Sequence, residues 1–588
     1  MERISDHIFN YLKEAGVEHV FVVPGGAAMH LDDSLGKSGI PYTACAHEFS
    51  AGMAAMAYAQ YTGKLGVCLV TNGPGALNAI NACAAANIDG APVLFISGQC
   101  KSTDMMGDDF LRSKGQQEVD VLTMVNTITK YSQLISYPDG LVFLPRAVKH
   151  AMEGKKGPVW LEIPVDVQAR MCERPGELFP RKPFIEEDDH YIDARKIADA
   201  LFEAERPIIL VGHGVMDSGA RDDMMRLIEA MGIPFMTTWR AAEFCDEWDP
   251  YYVGRPGNVG QRAANMILQK CDLLITIGAR LDPETVAYDF PNFAKNAKRI
   301  VIDIDKYELN KHTVDLSIDA NAKNIIDSIS KLLVNSGFDN LPSWDEWCAD
   351  CNYLNELFRN EVVPVNPGFV SHYDLLDVLS DIATKDDVIV PGSAGPCMYR
   401  FFQKWRVKYG QRIFVSAGLQ SMGSAIPMAM GAAIASGKRV ISVVGDGGFQ
   451  MSVHTLATIA KLGLNIKFFV LDNGGFNAIK GMQDYYFEGR YVATTPDSGL
   501  SIPPSNRIAY SYGVNATVMN PGDDITKLMR YIFSNDAPHV CSVVSDIDEF
   551  VSPRVRAKIM PDGSMKSMGI ENMWPFLSEE KLEELMRQ

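Results

Sequence analysis

The chain has 588 residues, 47% of them hydrophobic and 22% charged, with a net charge of −18. That length supports several hydrophobic cores, so three domains are expected. The acidic surplus disfavours nucleic acid or an anionic membrane as a partner, since both require a positive surface.

The N-terminal stretch MERISDHIFNYLKEAG puts Ile4, Ile8, Phe9 and Leu12 on one helical stripe, and no apolar signal core follows it. From residue 18, the runs EHVFVV, PYTACA, GVCLVT and PVLFIS alternate with helical patterns such as FSAGMAAMAYAQY. This is the rhythm of βαβ units in a doubly wound parallel sheet. The linker CERPGELFPRKPFIEEDD closes a first domain, 1–172. A second, 193–335, carries PIILVG, LLITIG and RIVIDID; a third, 365–551, follows VVPVNPG and carries VIVPG, RVISVVG, NIKFFVLDN and CSVVSDI. A polar tail, 552–588, ends in a helix. The expected fold class is α/β, with three doubly wound parallel-sheet domains.

The longest charge-free apolar run, Gly423 to Gly437, is short for a membrane span and contains Pro427. Many of the 11 cysteines sit in apolar segments (Cys45, Cys68, Cys83, Cys541), as reduced, buried thiols do. A soluble, cytoplasmic protein is the expectation. Cys348 and Cys351 form a lone CxxC with no second pair, for which a zinc or redox role is the lesser reading.

Domains one and three share a pattern. A shift of 374 positions lays Gly63-Lys64 on Gly437-Lys438 and Asn72-Gly73 on Asp446-Gly447. In RVISVVGDGGFQMSVHTLATIAKLG, a buried strand ends in the turn GDGGF and a helix follows. NIKFFVLDN is the next strand. Because a right-handed crossover brings both strand ends to one edge, Asp446 and Asn473 converge there. The free N–H groups after Gly447-Gly448 suit a phosphate, and a carboxylate beside an amide oxygen suits Mg²⁺. The competing reading, a simple tight turn at DG, fits GDG taken alone but does not account for the spaced asparagine.

The segments VPGGAAMHLDDSL, AHEFSAGMAAMAYAQYTGKLGVCLVTNGPGALN, QQEVDV, SAGLQSMGSAIPMAMGA and GDGGFQMSVHTLATIAKLGLNIKFFVLDNGGF resemble, in order, those of the acetolactate synthase catalytic subunit and its relatives among thiamine diphosphate enzymes. The resemblance implies a cofactor spanning the pyrimidine-binding domain of one subunit and the diphosphate-binding domain of another. A homodimer is then the minimum, and a homotetramer the expected assembly.

Several roles are likewise implied by resemblance. Asp446, Asn473 and the carbonyl of Gly475 hold Mg²⁺. Gly445, Gly447, Gly448, Phe476 and the turn Ser393-Ala394-Gly395 line the diphosphate, with Gly395-Pro396 where the family has Gln-His. Gly26 and Asn72 contact the cofactor from the first domain. Glu48 shares its proton with the aminopyrimidine ring; read from the residues alone, it could instead be a helix N-terminal cap. Met422 is the wedge beneath the cofactor, and the Gln420 carbonyl accepts from its amino group. Gln117 faces the reacting centre beside Gln116, which replaces a phenylalanine. Ala27, Ala28, Ile479, Ala478 and Met482 complete the substrate pocket. The last two stand where Met and Trp are common, which implies a wider acceptor site. GHGVMDSGA, GARLDPETV and VIDID are similar to the family's FAD-binding unit, with Arg280 a contact; Val259 replaces a histidine, and a vestigial, empty site is the competing reading.

With such a cofactor a 2-keto acid loses CO₂, and the carbon left behind either takes a proton or attacks a second carbonyl. The paired histidines of simple pyruvate decarboxylases are missing from SGQCKSTDMM. Carboligation is therefore expected, with pyruvate as donor beside Gly25, Gly26 and Ala27 and a carbonyl compound as acceptor. A non-ligating decarboxylase and a catalytically silent cofactor-binding subunit are the alternatives.

Overall fold

The computed structural model describes residues 1–107, 111–136, 140–173, 190–336, 341–359, 361, 366–559, 565–566 and 568–587. Most of the interdomain linker (174–189) and part of VVPVNPG (362–365) lie outside the described residues. The alternating apolar runs and helices fold into three parallel sheets. The first has strands β1 (Val20–Val22), β2 (Tyr42–Ala44), β3 (Gly66–Val70), β4 (Val93–Gln99), β5 (Tyr131–Leu134) and β6 (Val159–Pro164). Their order is β2-β1-β3-β4-β6-β5. Strands β3, β4 and β6 are buried throughout, which is why β3 and the start of β4 read as continuous apolar runs. Helix α1 (Glu48–Thr62) leads from β2 to β3 and stops at Gly63, whose φ of 69° closes it. Helix α2 (Pro74–Ile88) leads from β3 to β4.

The central sheet has strands β7 (Pro207–Val211), β8 (Phe235–Thr237), β9 (Leu273–Ile277), β10 (Lys298–Asp303) and β11 (Leu316–Asp319), in the order β8-β7-β9-β10-β11. Helix α3 (Arg262–Lys270) is buried along its whole length, charged residues included. The cause is the C-terminal segment. Arg262 donates to the carbonyls of Met573 and Pro575, and the Lys270 ammonium donates to that of Leu585. The tail is thus a covering layer of the central domain. The CxxC pair sits on the helix Asp345–Arg359, with Cys351 in the core and the Cys348 thiol donating to the Gly232 carbonyl.

The third sheet has strands β12 (Val388–Ile389), β13 (Arg412–Ile413), β14 (Val440–Gly445), β15 (Ile466–Asp472), β16 (Asn515–Met519) and β17 (His539–Val544). Its order is β13-β12-β14-β15-β17-β16, the order of the first sheet strand for strand. The similarity seen at a shift of 374 positions is therefore a similarity of topology. Helices α4 (Ala425–Ser436), α5 (Thr455–Leu462) and α6 (Asn477–Phe487) flank it. One local expectation needs correction: GDGGF is not an open turn, because helical hydrogen bonding begins at Asp446 and runs to Gln450. Gly445 caps that turn in an extended conformation, so the strand passes into helix with no spacer.

By compactness the chain forms two units. One holds residues 1–184, 386–397 and 412–547, hence the first and third sheets; the other holds 185–385, 398–411 and 548–588. Within the first unit, α1 and α4 pack backbone against backbone. A Cβ placed on Gly431 would lie 2.2 Å from the Ala54 carbonyl oxygen. Gly431 and Ala54 permit this approach, and burial on all sides through most of their length explains why neither helix shows an amphipathic pattern. Among the described residues, no helix is long and apolar enough to cross a membrane.

Candidate active site

At the edge of the third sheet, β14 ends at Gly445 and Asp446 opens the next helical turn with only 3% exposure. One carboxylate oxygen accepts from the Gly447 amide at 2.7 Å; the other accepts from Gly474 at 2.7 Å and Asn473 at 3.1 Å. The Asn473 side-chain oxygen accepts from Gly475 at 3.0 Å. The crossover thus joins the two residues as the spacing predicted. Burial pushes the Asp446 carboxyl up to about 6, against the pull of the backbone amides. Among the described residues no three His, Cys, Asp or Glu side chains converge on a metal position. A cation here would take oxygens from Asp446, Asn473 and a backbone carbonyl, a set that fits Mg²⁺ and leaves coordination for phosphate and water. Next to Asn473, Asp472 is partly buried and accepts from the Ser505 amide and from the hydroxyls of Ser505 and Ser542, which ties the strand end to its neighbours.

A cradle surrounds this edge. A Cβ on Gly447 would lie 2.4 Å from the Phe476 ring and 3.5 Å from the end of Met422. Gly395, at a φ of 61°, lies against Ala478, and the neighbouring Ser393 hydroxyl accepts from the Ser416 amide. The structure therefore brings Ser393, Gly395, Met422, Asp446, Gly447, Asn473, Phe476 and Ala478 together. Gln420 holds a φ of 54°. Met422, Ile479 and Met482 are all exposed apolar side chains on this surface.

The first sheet presents a second cluster at the equivalent edge. His47, not Glu48, caps α1, its ring accepting from the Phe49 amide at 3.1 Å. The Glu48 carboxylate instead lies over Gly75 and accepts from the Asn78 side chain at 3.0 Å. The capping alternative is displaced, and Asn78 is a partner that the sequence did not reveal. Gly26 and Ala27 sit in a 3₁₀ turn at the surface, whereas Ala28 is fully buried in the core rather than lining a pocket. The Gln168 side chain fixes that turn by donating to the Ala27 carbonyl at 2.7 Å. Asp32 accepts from the Gly25 amide, and burial pushes its carboxyl up to about 6. Gln116 and Gln117 are exposed, and the amide of Asn72 donates to both their carbonyls.

Comparison with known proteins was made against this geometry. Residues 2–124 match the thiamine pyrophosphate enzyme N-terminal TPP binding domain, 194–329 its central domain and 393–543 its C-terminal TPP binding domain. The chain belongs to the thiamine pyrophosphate enzyme family. It is 32% identical to a probable acetolactate synthase large subunit of Methanocaldococcus jannaschii, over 92% of each chain. It is 30% identical to the acetolactate synthase isozyme 2 large subunit of Escherichia coli, over 96% of this chain and 99% of the relative. Its identity to a Mycobacterium bovis acetolactate synthase is 31%, covering 97% and 93%.

As a thiamine pyrophosphate enzyme, the chain carries its two cofactor-binding domains in the first and third sheets. The central domain is different in kind. Gly212 and Gly278, at the ends of β7 and β9, face each other, with a Cβ on Gly212 falling 2.0 Å from the Gly278 oxygen. Gly214 also lies on Gly278. Close backbone contact requires glycine at these positions. Arg280 lies 3.8 Å from Glu308.

Proposed function

We propose that this thiamine pyrophosphate enzyme removes CO₂ from a 2-keto acid, pyruvate in the first instance, and joins the remaining carbon unit to a carbonyl acceptor. The observation that carries the reading is the pair of clusters at matching sheet edges: an acid, Glu48, at one, and a buried oxygen-ligand set around Asp446 at the other. When bound, thiamine diphosphate supplies a nucleophilic carbon and an electron sink for decarboxylation.

The chain's own residues divide the remaining work. Asp446, the Asn473 side chain and the Gly475 carbonyl would hold Mg²⁺, and Gly447 and Gly448, which carry no side chains, would leave room for the diphosphate beside them. Glu48, held by Asn78, exchanges a proton with the aminopyrimidine nitrogen. Its other oxygen lies over Gly75, beside the Thr71 side chain. The Gln420 carbonyl would accept from the cofactor's amino group, and the exposed Met422 side chain would rest against the cofactor. Gln117 faces the substrate. Ala478, packed against Gly395, leaves room for an acceptor larger than pyruvate. Exposed apolar side chains around this edge, Ile479, Met482, Tyr486 and Phe487, suit cover by a second copy of the chain, so a homodimer is the proposed working unit. The proposal stops short of FAD.

Feeding pyruvate with a panel of aldehydes and ketones and identifying products by mass spectrometry tests the reading. A chiral hydroxyketone formed with release of CO₂ is the expected result. Free aldehyde with every acceptor would turn the assignment to a simple decarboxylase. Failure to bind thiamine diphosphate with Mg²⁺ by calorimetry would overturn it altogether.

A further inference from the structure

We propose that Asn72 is a positioning residue for Gln117, holding the substrate-facing loop in a backbone conformation it would not otherwise keep. The inference rests on the functional reading above for the role of Gln117, and on geometry alone for the rest. Asn72 is 2% exposed, and its side-chain nitrogen lies 3.0 Å from the Gln116 carbonyl and 3.2 Å from that of Gln117. In an extended chain, successive carbonyls point to opposite sides, so one amide cannot reach both. Gln117 meets the requirement with a φ of 56°, in the left-handed region that residues with side chains avoid. Such a conformation persists only where its surroundings enforce it.

Three further contacts pin the same loop. Gly73, itself at a φ of 54°, lies so close that a Cβ there would fall 2.3 Å from the Gln117 oxygen. The buried Glu118 carboxylate gathers the amides of Met106, Lys114 and Gly115. From β4, the Gln99 side chain donates to the Val119 carbonyl at 3.3 Å. Glu118 and Gln99 fix the loop's path, and the Glu118 amide donates to the Gly115 carbonyl at 3.3 Å, closing a turn over Gln116 and Gln117. Among the described residues, Asn72 is the side chain that grips the carbonyls on both sides of residue 117, and it ties this turn to the strand end. The amide of Asn72 is therefore committed to the loop, and its contribution to catalysis runs through the direction of the Gln117 side chain rather than through contact with the cofactor.

The test uses Asn72→Ala, Gln117→Ala, the double variant and Gln117→Gly in the full-length protein. Hydrogen exchange needs no cofactor: Asn72→Ala should speed exchange at residues 115–119 while leaving β3 and β4 unchanged. In turnover of pyruvate, it should lower kcat/KM about 10- to 100-fold, as misplacement of a reacting group by about 1 Å does. The affinity for thiamine diphosphate should move less than about threefold, and Asn72→Ala should add nothing to Gln117→Ala. Gln117→Gly, which also lacks the amide but accepts a left-handed φ, should melt above Gln117→Ala. Unchanged exchange in the loop, a loss of cofactor affinity equal to the loss of turnover, additive losses in the double variant, or equal melting of the two Gln117 variants would each overturn the inference. A wild-type protein that does not turn over pyruvate would refute the functional reading instead, and the exchange and melting results would still decide the role of Asn72.

Discussion

Gly431→Ala should destabilise the unit that holds both cofactor-binding sheets, although alanine is the better helix former. In a solvent-facing helix the exchange gains up to about 1 kcal/mol. Here the new Cβ would meet the Ala54 carbonyl oxygen at 2.2 Å, with the Ala54 Cα at 2.7 Å, and real contacts of this kind stay beyond 3.0 Å. Both obstacles are backbone, so no rotamer change can relieve them. The α1–α4 pair must open by about 0.8 Å, which loosens packing along both faces. Overpacking of this kind costs about 1–3 kcal/mol, and backbone opposition puts it at the upper end. A net loss of about 2 kcal/mol is expected. Because α1 begins at Glu48, turnover should fall as well. Thermal melts followed by circular dichroism, beside Gly36→Ala as a control in an exposed helix with open space around it, measure the effect. If Gly431→Ala melts at or above the wild type while the control behaves as expected, the close crossing of α1 and α4 is wrong.

Glu48→Gln keeps the size of the side chain and its contact with Asn78 but removes the ionisable group; decarboxylation should drop by 10²-fold or more with cofactor affinity little changed, as steady-state kinetics and calorimetry would register. Asp446→Ala should abolish the Mg²⁺ dependence of cofactor binding, seen as loss of the calorimetric signal when the metal is added. Glu162 offers a pH test. It is 2% exposed on β6, and burial pushes its carboxyl up to about 8. The folded state keeps that proton where the unfolded chain releases it near 4.5, so the stabilisation is complete below about pH 4.5 and is lost as pH rises toward 8. Glu162→Gln should therefore flatten the fall in melting temperature between pH 5 and 8; an unaltered slope would show that Glu162 is ionised in the fold.

The three sheets could be read from the sequence because their central strands are long, apolar and bounded by glycine. Strands such as β5, β11 and β16 could not, since they sit at sheet edges with mixed exposure. Strand β6, fully buried, was hidden by Glu162 in its middle and Pro164 at its end. At the site, the convergence of Asp446 and Asn473 was legible because a crossover has one hand and a strand end is a fixed place. The partners Asn78 and Gln168 were not, because each sits on a helix that meets its partner only once the sheet has formed; Asn72 was legible as a site residue but not as a partner of the loop at Gln116 and Gln117. The start of helix at Asp446 was also hidden, since two glycines argue locally for a turn.

The identical strand order of the two outer sheets shows one architecture carrying two different site residues. At the end of the third strand, one copy keeps an amide, Asn72, and the other an acid, Asp446. The amide can give hydrogens and so clasps a neighbouring loop; the acid can only receive them and so gathers amides and leaves lone pairs for an ion. A single nitrogen-for-oxygen difference at corresponding addresses is enough to turn duplicated architecture into complementary halves of a catalyst.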